Sequence, residues 1–227
     1  MSFRLLSIYI SVTNKQIWEG NKLGVQSDNF LLEGKETKIY SGAVHYFRSL
    51  PEQWEDILQK LKLAGFNTVE TYMCWNLHEP EPGKFCFEGN LDICRFLDIA
   101  KRLGLYAIVR PGPYICAEWD MGGLPAWLLK DKNMRIRCMH EPYLEHVKRY
   151  LTKTMEVLDA YQLSNGGNVI AMQIENEYGH YGSDHTYLRY LKELMESLGC
   201  KELLFTSDGK NKVALAGGTL PDVFKTL

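Results

Sequence analysis

Residues 168–179 read NVIAMQIENEYG, an apolar run that leads directly into two carboxylates separated by an amide. A short, almost wholly apolar run is typical of a strand buried on both faces of a parallel sheet. The same pattern occurs at residues 105–109, which are followed by Arg110 and a long loop rich in glycine and proline. Packing seldom needs charge at the end of a buried strand, so these strand ends are candidate positions for chemistry.

Strand-like and helix-like segments alternate along the chain. Short runs of β-branched, aromatic and apolar residues predict five strands, at residues 38–44, 68–73, 105–109, 168–173 and 203–206. Apolar residues at helical spacing, with proline or glycine near the ends, predict four helices, at residues 51–64, 91–103, 142–161 and 184–198. Strands separated by helices form right-handed βαβ units and therefore a parallel sheet.

The residues that follow the strands distinguish the two folds that fit this alternation, a doubly wound sheet and a (β/α)8 barrel. Polar or aromatic residues follow the first four strands, at residues 45–46, 72–78, 110–119 and 175–177. Several strand ends that converge on one face are typical of a barrel, whereas a doubly wound sheet often carries a glycine fingerprint that is missing here. The sequence therefore predicts an α/β fold, a (β/α)8 TIM barrel.

A complete barrel uses about 250 residues and eight units. By residue 227 the sequence contains about four and a half units, and no sixth unit is recognisable after the glycines at 217 and 218. We therefore expect a barrel that is truncated after about strand five.

Composition excludes several classes of partner. The chain has 26 Lys and Arg against 28 Asp and Glu, a formal net charge of -2, which gives no basic excess for nucleic acid. No run approaches the ~20 apolar residues of a membrane span, and residues 1–12 make an unconvincing signal peptide.

The six cysteines and the histidines show no metal-ligand spacing, so we expect no metal and no cofactor. His45 is interpreted as a hydrogen-bonded barrel residue. The oligomeric state is not indicated.

The two carboxylates at Glu175 and Glu177 suit one kind of chemistry. Glycoside hydrolysis needs a carboxylic acid that protonates the leaving oxygen and a second carboxylate on the opposite face of the sugar. The alternative is a solvated loop with two surface glutamates. Glu175 leaves a further choice open: it could raise the pKa of Glu177 by like-charge repulsion, or pair with a nearby cation.

Six motifs resemble glycoside hydrolase family 35, the acid-type β-galactosidases of lysosomes and the extracellular space. They are SGAVHYFR at 41–48, TYMCWNLHEP at 71–80, RPGPYICAEW at 110–119, GGLPAWL at 122–128, IENEYG at 174–179 and FTSDG at 205–209. The likeness covers residues 29–208. It implies that residues 29–227 are the N-terminal portion of a catalytic barrel, and residues 1–28 are a leader of uncertain role.

The resemblance also implies roles for five residues. Glu177 matches the catalytic acid/base, and Asn176 matches the residue that binds the sugar 2-hydroxyl. Tyr72, Ala117 and Glu118 match galactose-binding positions. For Glu118 the alternative is a structural carboxylate paired with Arg110, and Trp75 and Trp119 could either stack on sugar or pack in the barrel mouth.

The family's nucleophile is a glutamate at the end of strand seven, which lies beyond strand five. Two hypotheses follow: a β-galactosidase that removes terminal β-linked galactose with a nucleophile beyond this chain's end, or a truncated, inactive member that at most binds carbohydrate or a partner. The isolated chain is expected to have no turnover. Residues 213–218 contain no cysteine, so the disulfide that the family makes from the Cys116 position is not expected. Localisation by resemblance is lysosomal or extracellular.

Overall fold

The computed structural model describes residues 17–26 and 28–227. The chain begins with a four-stranded antiparallel sheet, with β1 at Ile17–Glu19, β2 at Leu23–Gln26, β3 at Asn29–Leu32 and β4 at Lys35–Thr37. Glu33 and Gly34 connect β3 to β4 with φ of 50° and 78°, the left-handed pair that a tight hairpin requires. The sequence pattern does not predict this sheet, whose strands lie on both sides of the expected boundary between residues 28 and 29.

The second sheet is parallel and contains six strands in sequential order. The strands are β5 at Ser41–Ala43, β6 at Thr68–Tyr72, β7 at Tyr106–Arg110, β8 at Val169–Gln173, β9 at Leu203–Ser207 and β10 at Phe224–Thr226. Sequential order is the arrangement of a (β/α)8 barrel, whereas a doubly wound sheet reverses at a switch point. The predicted partial barrel is confirmed.

The expectation that no sixth unit follows the glycines at 217 and 218 is wrong, because a sixth parallel strand comes after them. A short helix and β10 come after β9, and Phe224 and Thr226 pair with Phe205 and Ser207. Both elements are brief, and a strand of three residues carries too little alternation to be recognised from the sequence. Position in the sheet, rather than local pattern, makes this segment a strand.

Within residues 28–227, six α-helices connect the strands. They are α1 at Trp54–Leu63, α2 at Trp75–His78, α3 at Ile93–Arg102, α4 at Glu141–Leu158, α5 at His185–Ser197 and α6 at Lys212–Gly218. The four predicted helices correspond to α1, α3, α4 and α5, and Asp92 and Asp184 cap two of them by accepting backbone N–H groups. None of the helices in the described part of the chain has the length and apolarity to cross a membrane.

Two large apolar clusters form most of the core of the described residues, and a third, small one of Cys74, Ile115 and Ala117 lies in the segments that follow β6 and β7. The larger one packs the inner faces of α1, α3, α4 and α5 against the sheet, with Trp54, Phe96, Leu151 and Leu191 fully buried. A second cluster joins the antiparallel sheet, through Leu23, to the side chains of the parallel strands. The two large clusters fix the strands against their helices and against the antiparallel sheet, and polar residues follow the carboxyl ends of β6 to β9 among these apolar contacts.

Candidate active site

The turn after β8 carries Glu175, Asn176 and Glu177. Backbone hydrogen bonds tie this turn to both neighbouring strand ends: Glu175 N donates to Gly112 O at 3.1 Å, and Glu177 N donates to Ser207 O at 3.0 Å. Glu175 and Glu177 have φ of 56° and 46°, in the left-handed region that non-glycine residues seldom occupy. The side chain of Glu177 is exposed at the barrel mouth, and its carboxylate accepts no hydrogen bond from the residues that the structure describes.

The Asn176 side chain is held in one orientation by donors that converge on its oxygen. Oδ1 accepts from Arg110 Nη2 at 2.6 Å, from Gln173 Nε2 at 3.1 Å and from Tyr72 OH at 3.5 Å. A guanidinium can only donate, so the atom that faces Arg110 must be the amide oxygen. The amide NH2 is then the group that remains to donate to a substrate hydroxyl.

Arg110 is the centre of this network. It pairs with Glu70 at 2.9 Å, both side chains being almost completely buried, and its guanidinium lies 4.2 Å from the Tyr72 ring centroid. The alternative role for Glu118, pairing with Arg110, is therefore contradicted. Burial raises the pKa of the Tyr72 hydroxyl, Arg110 opposes that shift, and the nearby Glu70 and Glu177 add to it. Tyr72 is a neutral hydrogen-bond donor at neutral pH.

The turn after β7 carries Ala117 and Glu118. Cys116, Ala117 and Glu118 have consecutive left-handed φ values of 57°, 55° and 46°. Each such residue costs roughly 1–2 kcal/mol, so the surrounding contacts must hold the turn. Arg48 donates to the carbonyl of Ala117 and, at 3.5 Å, to that of Glu118. Ala117 is buried, and the Glu118 carboxylate is exposed and unpaired among the described side chains.

The two tryptophans differ. Trp75 is fully buried, stacks on Tyr150 with ring centroids 4.9 Å apart and donates to Glu79 Oε2 at 2.7 Å, so its role is packing. Trp119 is partly exposed at the mouth, where its indole donates to Asn76 at 3.2 Å, and its stacking on a sugar stays a prediction.

His45 is a hydrogen-bonded residue of the barrel mouth. Burial, together with smaller contributions from the positive charges of Arg48 and Arg110, lowers the pKa of His45 to about 4. Its Nδ1 lies 3.5 Å from the backbone N–H of Tyr72, which donates to it. The ring is neutral at physiological pH and helps to fix the end of β6.

Glu175 pairs with a cation and so resolves the choice that the sequence left open. Arg137 donates to both of its oxygens, at 3.0 and 2.8 Å, and the carboxylate is 1% exposed. Glu175 also accepts from Tyr187 OH at 3.1 Å. Its carboxylate therefore has a structural role within the turn that carries Glu177.

Asp208 was not among the predicted site residues, although it follows β9 as the other site residues follow their strands. It is buried, and its Oδ1 accepts from Gly179 N at 2.8 Å, two residues after Glu177. Burial, supported by the charges of Glu175 and Glu177 and opposed by the Gly179 N–H and by His180, raises the pKa of Asp208 to about 6. A carboxylate at a strand end was the signal that could have found it.

Tyr72, Asn176 and Glu177 therefore lie together at the ends of β6 and β8, and Ala117 and Glu118 lie in the turn between them. Among residues 17–26 and 28–227, no three His, Cys, Asp or Glu side chains are arranged to hold a metal ion. The six cysteines, all within this range, are free thiols.

Comparison with curated proteins gives close relatives. Beta-galactosidase-1-like protein 2 of Homo sapiens is 47% identical over 208 residues, which is 91% of this chain and 32% of that protein. Beta-galactosidase of Mus musculus is 44% identical over the same shares of the two chains. Beta-galactosidase 17 of Arabidopsis thaliana is 41% identical across all of this chain and 33% of its own length. The chain spans about a third of the length of these relatives.

Solved structures share the fold at low identity. The crystal structure of GH5_18 from Streptomyces cattleya in complex with GlcNAc has a TM-score of 0.61 and 16% identity over 75% of this chain and 44% of that one. The sequence model of a protein family, described as Glycosyl hydrolases family 35, matches residues 29–227. With that match and relatives of 41–47% identity, the chain belongs to glycosyl hydrolase family 35.

Proposed function

We propose that this protein is a retaining glycoside hydrolase that removes terminal β-linked galactose from glycans and glycoconjugates. One observation carries the proposal: Asn176 and Glu177 follow β8 with the amide fixed as a donor and the carboxylate exposed at the mouth. Membership of family 35 and relatives named beta-galactosidase support galactose as the sugar.

Each residue has a distinct role in the proposed reaction. Glu177 protonates the leaving oxygen in the first step and activates water in the second. The Asn176 NH2 donates to the sugar 2-hydroxyl, an interaction that strengthens in the transition state. Tyr72, Ala117 and Glu118 bind the ring hydroxyls, and the exposed Glu118 carboxylate is a strong acceptor for a pair of them. Carboxylates supply the acid, base and nucleophile, so the reaction requires no metal or cofactor.

The proposed mechanism needs a second carboxylate about 5–5.5 Å from Glu177. Glu70, Glu79 and Glu175 are each bound by an arginine and are poor candidates for a nucleophile. We assign the nucleophile to a region that the longer relatives contain and that this chain does not cover. From the resemblance to family 35, we propose the lysosome or the extracellular space as the site of action.

Hydrolysis of nitrophenyl β-D-galactoside by the longest natural protein that contains this chain tests the proposal. Glu177→Gln should lower kcat at least a hundredfold because it removes the proton donor. Glu193→Gln, on the exposed face of α5, is the matched control and should be neutral.

Two further readouts separate the alternatives. NMR of the first product should show β-galactose, and α-galactose would rule out retention. Galactose binding without turnover by the unaltered protein would instead indicate an inactive, sugar-binding family member.

A further inference from the structure

Arg137 reaches the turn that carries Asn176 and Glu177 from a distant loop. It lies in the connection before α4, 38 residues from Glu175 in sequence. Its guanidinium nevertheless donates to the Glu175 carboxylate, from Nε at 3.0 Å and from Nη2 at 2.8 Å. The same Nη2 donates to Asn176 O at 2.9 Å. One side chain thus binds both residues that precede Glu177.

Three tyrosines surround the guanidinium. Its carbon lies 3.6 Å from the ring centroid of Tyr114, 4.3 Å from that of Tyr181 and 5.6 Å from that of Tyr178. Tyr178 OH also donates to the carbonyl of Arg137 at 3.0 Å. Aromatic faces attract a cation and exclude water from it, so the arginine is held in place from several sides.

Glu175 is equally constrained. Besides Arg137, it accepts hydrogen bonds from Tyr187 OH at 3.1 Å and from Asn176 N at 2.8 Å. The two charged side chains are 5% and 1% exposed. Arg137, Glu175 and Glu177 all have left-handed φ, between 46° and 56°. Strained backbone of this kind persists only where its surroundings over-determine it.

We propose that the Arg137–Glu175 pair is the positioning device of the acid/base, and that it sets the left-handed turn from which Asn176 and Glu177 act. Neither residue of the pair touches the sugar. The pair fixes the backbone of Asn176, since Arg137 donates to its carbonyl and Glu175 accepts from its N–H. Arg110 fixes the side chain of Asn176 by donating to its amide oxygen. The effect on catalysis rests on the proposed function, whereas the effect on the turn does not.

Leaving-group dependence distinguishes positioning from general support. A displaced general acid matters most for a poor leaving group, which needs a proton, and least for dinitrophenolate, which leaves without one. For Arg137→Lys and Glu175→Gln, kcat/KM for lactose should fall at least tenfold more than kcat/KM for dinitrophenyl β-D-galactoside. Equal losses on both substrates would overturn the proposal.

Arg149→Lys is the matched control, since Arg149 forms another ion pair with a buried carboxylate, Glu79, at 2.6 Å. That pair does not contact the Asn176–Glu177 turn, so any loss in this variant should be the same for both substrates. Tyr187→Phe removes one hydrogen bond from Glu175 and is the milder variant if the others fail to fold. It should show the same leaving-group bias at a smaller size.

Crystal structures of the variants test the turn without any need for activity. In Arg137→Lys or Tyr187→Phe, Glu177 should leave its left-handed φ or Asn176 should lose its contact with Arg110. Retention of both features in every folded variant would overturn the proposal. A wild-type protein inactive on all galactosides would count against the proposed function alone, since the crystal comparison still decides the role of the pair.

Discussion

The turns after β7 and β8 both contain strained backbone, and the two are held in place by different contacts. Both contain left-handed residues other than glycine, and an arginine from a distant segment holds each. Arg48, at the first turn, is exposed, and its hydrogen bonds to described residues go to the carbonyls of Ala117 and Glu118. Arg137, at the second, is buried and binds a carboxylate through two hydrogen bonds. In the proposed function the first turn binds sugar and can adjust to it, whereas the second holds a proton donor, which must be placed within a fraction of an ångström. The difference in burial agrees with that proposed division of tasks.

Loss of the two arginines should have very different effects on stability. Arg137→Met leaves the Glu175 carboxylate buried without its cation and should lower the free energy of unfolding by about 3–5 kcal/mol. Arg48→Met leaves only backbone carbonyls near solvent and should cost about 1 kcal/mol. Urea unfolding of both variants measures the contrast, and equal losses would remove the distinction between the turns.

The turn after β8 is also enclosed by backbone. A Cβ added at Gly179 would lie 1.7 Å from the carbonyl oxygen of Ala214 on α6. Gly179→Ala should therefore displace α6 and cost about 1–3 kcal/mol, as overpacking does elsewhere. Thermal unfolding tests this prediction. A variant as stable as the wild type would show that α6 can shift away from Gly179 without a loss of stability.

Asp208 should make the enclosed turn sensitive to pH. Its folded pKa of about 6 lies above the ordinary value of 3.8, so the folded state binds the extra proton between those two pH values. The free energy of unfolding therefore falls as pH rises through this window. Asp208→Asn keeps the acceptor for Gly179 without the charge, and at pH 7 it should be about 1–2 kcal/mol more stable than the wild type.

Urea unfolding at pH 4 and pH 7 tests the sign. The difference between Asp208→Asn and wild type should shrink towards zero at pH 4, where both side chains are neutral. A difference that grows as pH falls would contradict the assignment of the raised pKa.

The smallest effect is expected at the turn after β7. Ala117→Gly relieves the left-handed strain at φ 55° but loses a buried methyl group and adds freedom to the unfolded chain. The net change in unfolding free energy should lie within about 1 kcal/mol of zero. A loss of several kcal/mol would mean that this turn is as tightly constrained as the one after β8.

Local pattern alone determined much of this protein. Runs of four to seven β-branched, aromatic and apolar residues predicted five parallel strands, and helical spacing predicted the four long helices, because each signal lies within a single strand or helix. The placement of Glu177 after a buried strand followed from the same pattern. The short strands of the antiparallel sheet and β10 were missed, since three or four residues carry little periodicity and pairing decides their state.

Only the tertiary structure decided which charges pair. Arg110 binds Glu70 and not Glu118, and Arg137 binds Glu175 across 38 residues, contacts that no local spacing encodes. Through these pairs the fold determines that the Asn176 amide presents its NH2 and that Glu175 is structural while Glu177, two residues on, is exposed. The sequence by itself supplied the strand ends and their carboxylates. Their division of roles depends on which arginine each one meets when the chain folds, because a buried charge takes its properties from its partner.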